Sequence, residues 1–181
     1  MKLSTAMTDR AIGALLGTAC GDALGAGYEF QPRVPYTQTI FMRGDHRFKP
    51  GEWTDDTAMA FVIAEVAAQR IDLRTAEAQD QIVEGWLEWS RDTPDIGIQT
   101  SEVLRTMSEP TAAAACQAAA EQHQRSNGRS AGNGSLMRTA PVALAYLDDP
   151  FALVEAAMSI SALTHHDPVA GEACEIGRAH V

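Results

Sequence analysis

Apolar residues recur at helical spacing through most of this 181-residue chain, in segments that are rich in alanine. In the segment 8–24, Ile12 and Leu16 are followed at steps of three and four by two alanines, which places all four on one helix face. Thr8 is the predicted N-cap of this helix. Strand-like patterns are almost absent, with some β-propensity only in 36–42. The spacing therefore predicts an all-α fold.

Seven further segments predict helices by the same criterion. They are a helix opened by Thr54, then Thr75–Ser90, Thr100–Met107, Thr111–Gln122, Leu136–Leu147, Phe151–Leu163, and a last one from Pro168 to about Glu175. There is neither an internal repeat nor a flexible linker, so the sequence predicts one multi-helix bundle.

Charge and cysteine content exclude several classes of protein. The chain has 14 Lys and Arg against 24 Asp and Glu, a formal net charge of −10. Binding to nucleic acid depends on clustered Lys and Arg, so we expect no nucleic-acid partner. Three widely spaced cysteines without a C-x-x-C pair indicate a reducing compartment, and no apolar run is long enough to span a bilayer. We therefore predict a cytoplasmic protein without a membrane partner.

The segment Gly51–Thr57 ends a loop and opens a helix with Thr54, Asp55 and Asp56. One interpretation is structural, because a threonine N-cap and acidic residues in the first turn stabilise a helix. The other interpretation is a site for a hard cation, because Mg²⁺ and Mn²⁺ prefer oxygen ligands. The spacing alone leaves both interpretations open.

Three acidic residues elsewhere are further candidates for a structural or a functional role. Asp22 lies on an otherwise apolar helix, where we expect its carboxylate to accept hydrogen bonds from backbone amides. Glu29 follows that helix and can point into a cleft. Asp95 lies in a turn, where it either forms an Asx-turn or faces a site.

Two later segments contain polar groups suited to a ligand. The glycine-rich loop Gly132–Arg138 is either an anion site, in which free amides and a helix dipole favour phosphate, or an ordinary loop with an N-cap. In the segment Leu163–Pro168, His165 and His166 are adjacent and point apart, so we expect a hydrogen bond to a ligand or a loop carbonyl rather than a metal.

Together these segments resemble the ADP-ribosylglycohydrolase family in order and spacing. The matching motifs are G-x-x-x-G-D-A-L-G at 17–25, Glu29, G-x-W-T-D-D-T at 51–57, D-I-G at 95–97, G-N-G-S-L-M-R at 132–138 and T-H-x-D-P at 164–168. The resemblance implies an all-α hydrolase with two divalent cations, Mg²⁺ or Mn²⁺, which removes ADP-ribose from a protein side chain or a related conjugate. It also implies a monomer for the intact protein.

The resemblance also implies a role for each matching residue. The metal ligands would be Thr54, Asp55 and Asp56, and the catalytic carboxylates Glu29 and Asp95. The diphosphate and ribose would be held by Asn133, Gly134, Ser135, Met137 and Arg138, with His165 in contact with ADP-ribose.

One family feature is missing. A second metal cluster of the D-x-D-T type lies near the family's C-terminus, and this sequence has no D-x-D. Residues 176–181 match the translation of a common sequencing-library adapter, although a genuine short tail is the alternative. We therefore expect 1–175 to be a partial domain without its C-terminal helices and without activity by itself, and 176–181 to be a non-native tail.

Two other functions are alternatives to metal-dependent hydrolysis. One is a non-catalytic relative, either a pseudo-enzyme or a crystallin-like structural protein, that at most binds ADP-ribose. The intact Thr54–Asp56 segment argues against a purely structural role. The other is an unrelated all-α metal phosphohydrolase, which the scarcity of histidine in acidic contexts argues against.

Overall fold

The computed structural model describes residues 3–177, and every regular element in that range is helical. The prediction of an all-α fold is therefore confirmed. The elements are α1 (Thr5–Ala26), α2 (Asp55–Ala68), α3 (Ala76–Trp89), α4 (Ile98–Thr106), α5 (Ala112–Arg125), a 3₁₀ helix (Leu136–Arg138), α6 (Ala140–Ala145), α7 (Pro150–Ala162) and α8 (Pro168–Gly177).

The core forms around α2, which packs against α3 and α6. Met59 and Ile63 on α2 and Ile82 and Trp86 on α3 are completely buried. Burial of a side chain of this size contributes about 1.5–3 kcal/mol. The indole N–H of Trp86 donates to the carbonyl of Met59 at 3.1 Å, so the core also fixes the register between the two helices.

The first helix differs from the prediction at its start. It begins at Thr5, and Ser4 is its N-cap because the Ser4 hydroxyl accepts from the amide of Met7 at 3.3 Å. Thr8 lies inside the helix and donates its hydroxyl to the carbonyl of Ser4. The prediction of Thr8 as N-cap is therefore wrong, because a threonine within a helix can bond backward to the carbonyl four residues earlier.

The apolar face predicted for α1 is buried only towards the C-terminal end of the helix. Ile12 is 51% exposed and Leu16 is 58% exposed, whereas Ala23 and Ala26 are buried. Helical spacing identifies residues that share a face, but it does not say which neighbouring elements are available to cover that face.

The predicted helix Leu136–Leu147 is interrupted. A 3₁₀ helix ends at Arg138, and α6 starts at Ala140 with Pro141 in its first turn. Proline has no amide hydrogen to donate to the preceding turn, so a new helix begins there.

Helix α8 continues two residues past Glu175, and residues 178–181 of the expected tail lie outside the described residues. Among the helices of residues 3–177, none has both the length and the hydropathy needed to cross a bilayer.

Candidate active site

A cleft of about 610 Å³ lies where the end of α1 meets the start of α2. Gly21 and Gly25 form one wall, and the polar groups of Asp22, Glu29 and Asp56 face the same space. Thr54 also lines the cleft. The fold therefore brings three of the predicted site residues, Glu29, Thr54 and Asp56, together in this cleft.

The side chain of Asp22 caps α2 from the neighbouring helix. Its Oδ2 accepts from the amides of Thr54 at 2.9 Å and Thr57 at 3.0 Å, and its Oδ1 accepts from the Thr54 hydroxyl at 2.7 Å. The prediction that Asp22 is bonded to backbone amides is confirmed. Thr54 is the N-cap residue by position, but its side chain caps no amide, since the hydroxyl is directed to Asp22.

Two further carboxylates crowd the first turn of α2. Asp56 Oδ2 lies 3.3 Å from the Thr54 hydroxyl oxygen, and Asp55 Oδ2 accepts from the amide of Gly97 at 3.3 Å. Burial, together with the charges of Asp22 and Asp55, raises the pKa of Asp56 to about 6. The pKa of Asp55 is also raised, mainly by burial and further by Asp95. The cleft therefore concentrates negative charge that a cation would offset.

The donor atoms suit a hard divalent cation in kind. Thr54, Asp55 and Asp56 offer hydroxyl and carboxylate oxygens, which Mg²⁺ and Mn²⁺ prefer. However, no group of three or more His, Cys, Asp or Glu side chains in residues 3–177 has the arrangement to hold a metal ion. These residues fit a cation as part of a coordination shell.

Arg47 joins the two predicted catalytic carboxylates. Its Nη1 lies 2.5 Å from Asp95 Oδ2, its Nη2 lies 3.4 Å from Glu29 Oε2, and its Nε donates to Asp45. Burial and the charge of Asp95 raise the pKa of Glu29, although Arg47 opposes that shift. Sequence reasoning missed Arg47, because a single arginine in a loop without periodicity carries no local signal.

The second half of the site is built around His165. The ring of His165 lies so close to Gly134 that a Cβ on this glycine would be 2.8 Å from His165 Cε1 and 3.3 Å from the Thr100 hydroxyl. Thr100 in turn lies near Gly97, whose amide bonds to Asp55. Gly97 and Thr100 therefore lie between Asp55 and the glycine-rich loop.

Gln99 holds that loop in position and was also missed. Its side-chain amide donates to the carbonyl of Ser130 at 2.9 Å and to the carbonyl of Thr164 at 3.1 Å. Asn133 in the same loop is exposed, while the Ser135 hydroxyl is buried and accepts from the Cys174 thiol. A glutamine in the first turn of a helix looks the same in the sequence whether its side chain holds a neighbouring loop or is exposed to solvent.

The position of Arg138 corrects one expectation. Its side chain is 1% exposed and its guanidinium lies 3.8 Å over the ring of Trp86, inside the core. Met137 beside it packs against the same core. Arg138 therefore does not reach the cleft to contact a diphosphate. Its planar cation stacks on an aromatic face, as arginine does in buried positions.

Comparisons with known proteins agree in one family. The family model for ADP-ribosylglycohydrolase matches residues 3–180. An ADP-ribosyl-[dinitrogen reductase] glycohydrolase of Rhodospirillum rubrum is 35% identical over 174 residues, which is 92% of this chain and 54% of that protein. An ADP-ribosylarginine hydrolase of Pseudomonas putida (strain GB-1) is 30% identical, over 93% of this chain and 44% of its own length.

A solved structure described as an ADP-ribosylglycohydrolase-related protein complex has the same fold, with a TM-score of 0.69 and 35% identity. The match includes 93% of this chain and 53% of that one. The chain thus spans about half the length of the relatives it matches. From the family model and the helical architecture together, the chain belongs to the ADP-ribosylglycohydrolase family.

Proposed function

We propose that a protein of the relatives' length with this site hydrolyses the glycosidic bond between ADP-ribose and a protein side chain. One observation supports this proposal most strongly. The carboxylates of Glu29 and Asp95 contact the same Arg47 guanidinium, and, together with burial, the charge of Asp95 raises the pKa of both Glu29 and Asp55. Two carboxylates at one reaction centre are the usual equipment for glycoside hydrolysis.

The proposed substrate is ADP-ribose linked to an arginine of a target protein. The name of one relative, an ADP-ribosyl-[dinitrogen reductase] glycohydrolase, supports a protein substrate, and the name of another, an ADP-ribosylarginine hydrolase, supports the arginine linkage. The three cysteines are unpaired, which supports the proposal of a reducing, cytoplasmic location.

Glu29 is the proposed general base. Its side chain is 46% exposed, so a water molecule can reach the carboxylate, and its raised pKa increases its basicity. Asp95 is held in place by Arg47. The negative charge of the Asp95 carboxylate can then stabilise the positive charge that develops at the anomeric carbon. Arg47 thereby keeps the two carboxylates in one place without contacting the reacting atoms itself.

The proposed cofactor is Mg²⁺ or Mn²⁺, held in part by Thr54, Asp55 and Asp56. Such a cation, when bound, polarises hydroxyl oxygens and lowers the pKa of a water ligand. The proposed ADP-ribose site consists of Asn133, the backbone of Gly134 and Ser135, and His165. Met137 and Arg138 support this loop from the core.

The experiment measures free ADP-ribose released from an ADP-ribosylated arginine substrate, with Mn²⁺ or with EDTA. It compares the 181-residue chain, a version as long as the Rhodospirillum rubrum relative, and that relative as positive control. We expect metal-dependent release by the longer version and little or none by the 181 residues. In the longer version, Asp55→Ala and Glu29→Gln should each lower the rate by at least about a hundredfold.

Binding of ADP-ribose, measured by calorimetry, separates hydrolysis from the rival function. A longer version that binds ADP-ribose but releases none under conditions in which the control is active would be a non-catalytic binding protein. Release that is insensitive to EDTA and to Asp55→Ala would contradict the proposed metal site.

A further inference from the structure

The buried cation Arg138 is connected to His165 through one hydroxyl group. Arg138 Nη2 donates to Thr164 Oγ1 at 2.8 Å and to the carbonyl of Ile160 at 3.2 Å. Thr164 Oγ1 in turn lies 2.8 Å from His165 Nδ1. Both Thr164 and His165 are buried, with exposed fractions of 0% and 3%. We refer to these three side chains as the Arg138–Thr164–His165 relay.

The direction of each hydrogen bond in the relay follows from donor chemistry. A guanidinium can only donate, so the Thr164 oxygen is the acceptor in its bond with Arg138. The Thr164 hydrogen then has one acceptor within the described part of the chain, His165 Nδ1. If Nδ1 had its own proton, the buried Thr164 hydrogen would have no acceptor, which is costly. Nδ1 is therefore unprotonated, and the ring proton lies on Nε2.

The Nε2 atom faces the glycine-rich loop and has no hydrogen-bond partner within residues 3–177. A Cβ on Gly134 would lie 3.0 Å from Nε2, and a Cβ on Gly132 would lie 3.6 Å from it. Burial and the Arg138 charge lower the pKa of His165 to about 3, so the ring is neutral at physiological pH. An N–H group that is neutral, oriented and unpartnered suits an acceptor oxygen of a ligand on this loop.

We propose that Arg138 and Thr164 are positioning residues that fix His165 as its Nε2–H tautomer, so that His165 donates a hydrogen bond to a phosphate or ribose oxygen of ADP-ribose. This inference rests on the proposed function for the identity of the ligand. The tautomer itself does not depend on the ligand. Gly134 contributes by leaving the space in front of Nε2 free for that oxygen.

The test of the relay is the ring ¹⁵N NMR spectrum of the 181-residue chain labelled at histidine, because ring nitrogen shifts distinguish the two tautomers. His165→Asn assigns the His165 signals. We expect an Nε2–H pattern in the natural sequence. Thr164→Val removes the hydroxyl at nearly constant shape and should shift the ring toward a mixture of tautomers. Thr164→Ser restores the hydroxyl and should restore the pattern.

Arg138→Met tests the start of the relay. Without the guanidinium, the Thr164 oxygen no longer has an obligatory donor, so we expect a mixture of tautomers here as well. Circular dichroism confirms folding of each variant. If Arg138→Met does not fold, the natural sequence and the two Thr164 variants still decide the question. An Nδ1–H pattern in the natural sequence, or an unchanged pattern in Thr164→Val, would overturn the relay.

Calorimetry with ADP-ribose, on a version as long as the Rhodospirillum rubrum relative, tests the ligand separately. Loss of one well-oriented hydrogen bond should weaken ADP-ribose binding about tenfold in Thr164→Val, and Thr164→Ser should recover most of this loss. Equal affinity in Thr164→Val and the natural sequence would overturn the proposed donor role of His165. If the tautomer is as expected but ADP-ribose does not bind at all, the relay is supported and the proposed function fails.

Discussion

Asp22 on the first helix caps the start of the second helix, because the side chain of Thr54 at the N-cap position accepts no amide hydrogen there. One Asp22 oxygen accepts the amides of Thr54 and Thr57, and the other accepts the Thr54 hydroxyl. The contact spans 32 residues of sequence. It joins α1 to α2 at the cleft and orients the Thr54 hydroxyl next to Asp56.

Removal of this cap should destabilise the fold. Asp22→Ala leaves the amides of Thr54 and Thr57, at the start of α2, without an acceptor, and we expect a loss of about 2 kcal/mol in the free energy of unfolding. The measurement is urea denaturation at pH 5, where most Asp56 carboxyl groups are protonated and repulsion from Asp22 is weak. Asp9→Ala on the exposed surface of α1 is the control, with an expected change within about 0.5 kcal/mol. Equal losses would contradict the role of Asp22.

The raised pKa of Asp56 should make stability depend on pH. The group titrates near 3.8 when unfolded and near 6 when folded. Between these values the folded chain binds more protons, so its stability falls as the pH rises. The side chain in Asp56→Asn cannot ionise, so the variant does not lose stability in this way. Its free energy of unfolding minus that of the natural sequence should rise by about 1–2 kcal/mol between pH 4 and pH 7, a value that is lowered to allow for the partial exposure of Asp56.

Denaturation in EDTA measures this difference, with Glu84→Gln on exposed α3 surface as the control. Addition of Mg²⁺ at pH 7 should remove part of the difference, because a bound cation stabilises the ionised carboxylate. A difference that stays constant from pH 4 to pH 7 would show that Asp56 is not perturbed in the fold.

Binding of divalent cations by the 181 residues should be weak. The oxygens of Thr54, Asp55 and Asp56 supply part of a shell of about six ligands, so we expect dissociation constants of about 0.1–1 mM for Mg²⁺ and Mn²⁺. Asp55→Asn and Asp56→Asn should weaken binding further, whereas Asp9→Asn should not. Calorimetry provides the measurement. Sub-micromolar binding would show that these residues need no further ligands.

Two glycines inside helices should respond to alanine in opposite directions. A Cβ on Gly13 in α1 meets no atom within 4 Å, so Gly13→Ala should stabilise the chain by about 0.5–1 kcal/mol through helix propensity. A Cβ on Gly85 in α3 would lie 2.6 Å from Val62 Cγ1, so Gly85→Ala should destabilise it by about 1–3 kcal/mol. Thermal unfolding of both variants tests the packing of α3 on α2, and a stabilised Gly85→Ala would contradict it.

Much of the helical architecture follows from the sequence alone. Apolar spacing locates helices, and local chemistry locates their ends, as at Thr75 and Thr111, whose hydroxyls accept from amides three residues later. The motif at Thr54–Asp56 and the loop at Gly132–Arg138 were located for the same reason. At the two helix starts the interacting groups are neighbours in sequence, and each of the two motifs is a contiguous run of characteristic residues, so the signal is present in a short segment.

Other features depend on tertiary packing. Arg47 reaches Glu29 and Asp95 from 18 and 48 residues away, and no local pattern marks such a contact. Arg138 belongs to a motif that looks like a ligand loop, yet its cation lies in the core because Trp86, Ile160 and Thr164 surround it. Short-range spacing identifies which residues share a helix face. Which partners a side chain contacts depends on helices that are distant in sequence and come together only when the chain folds.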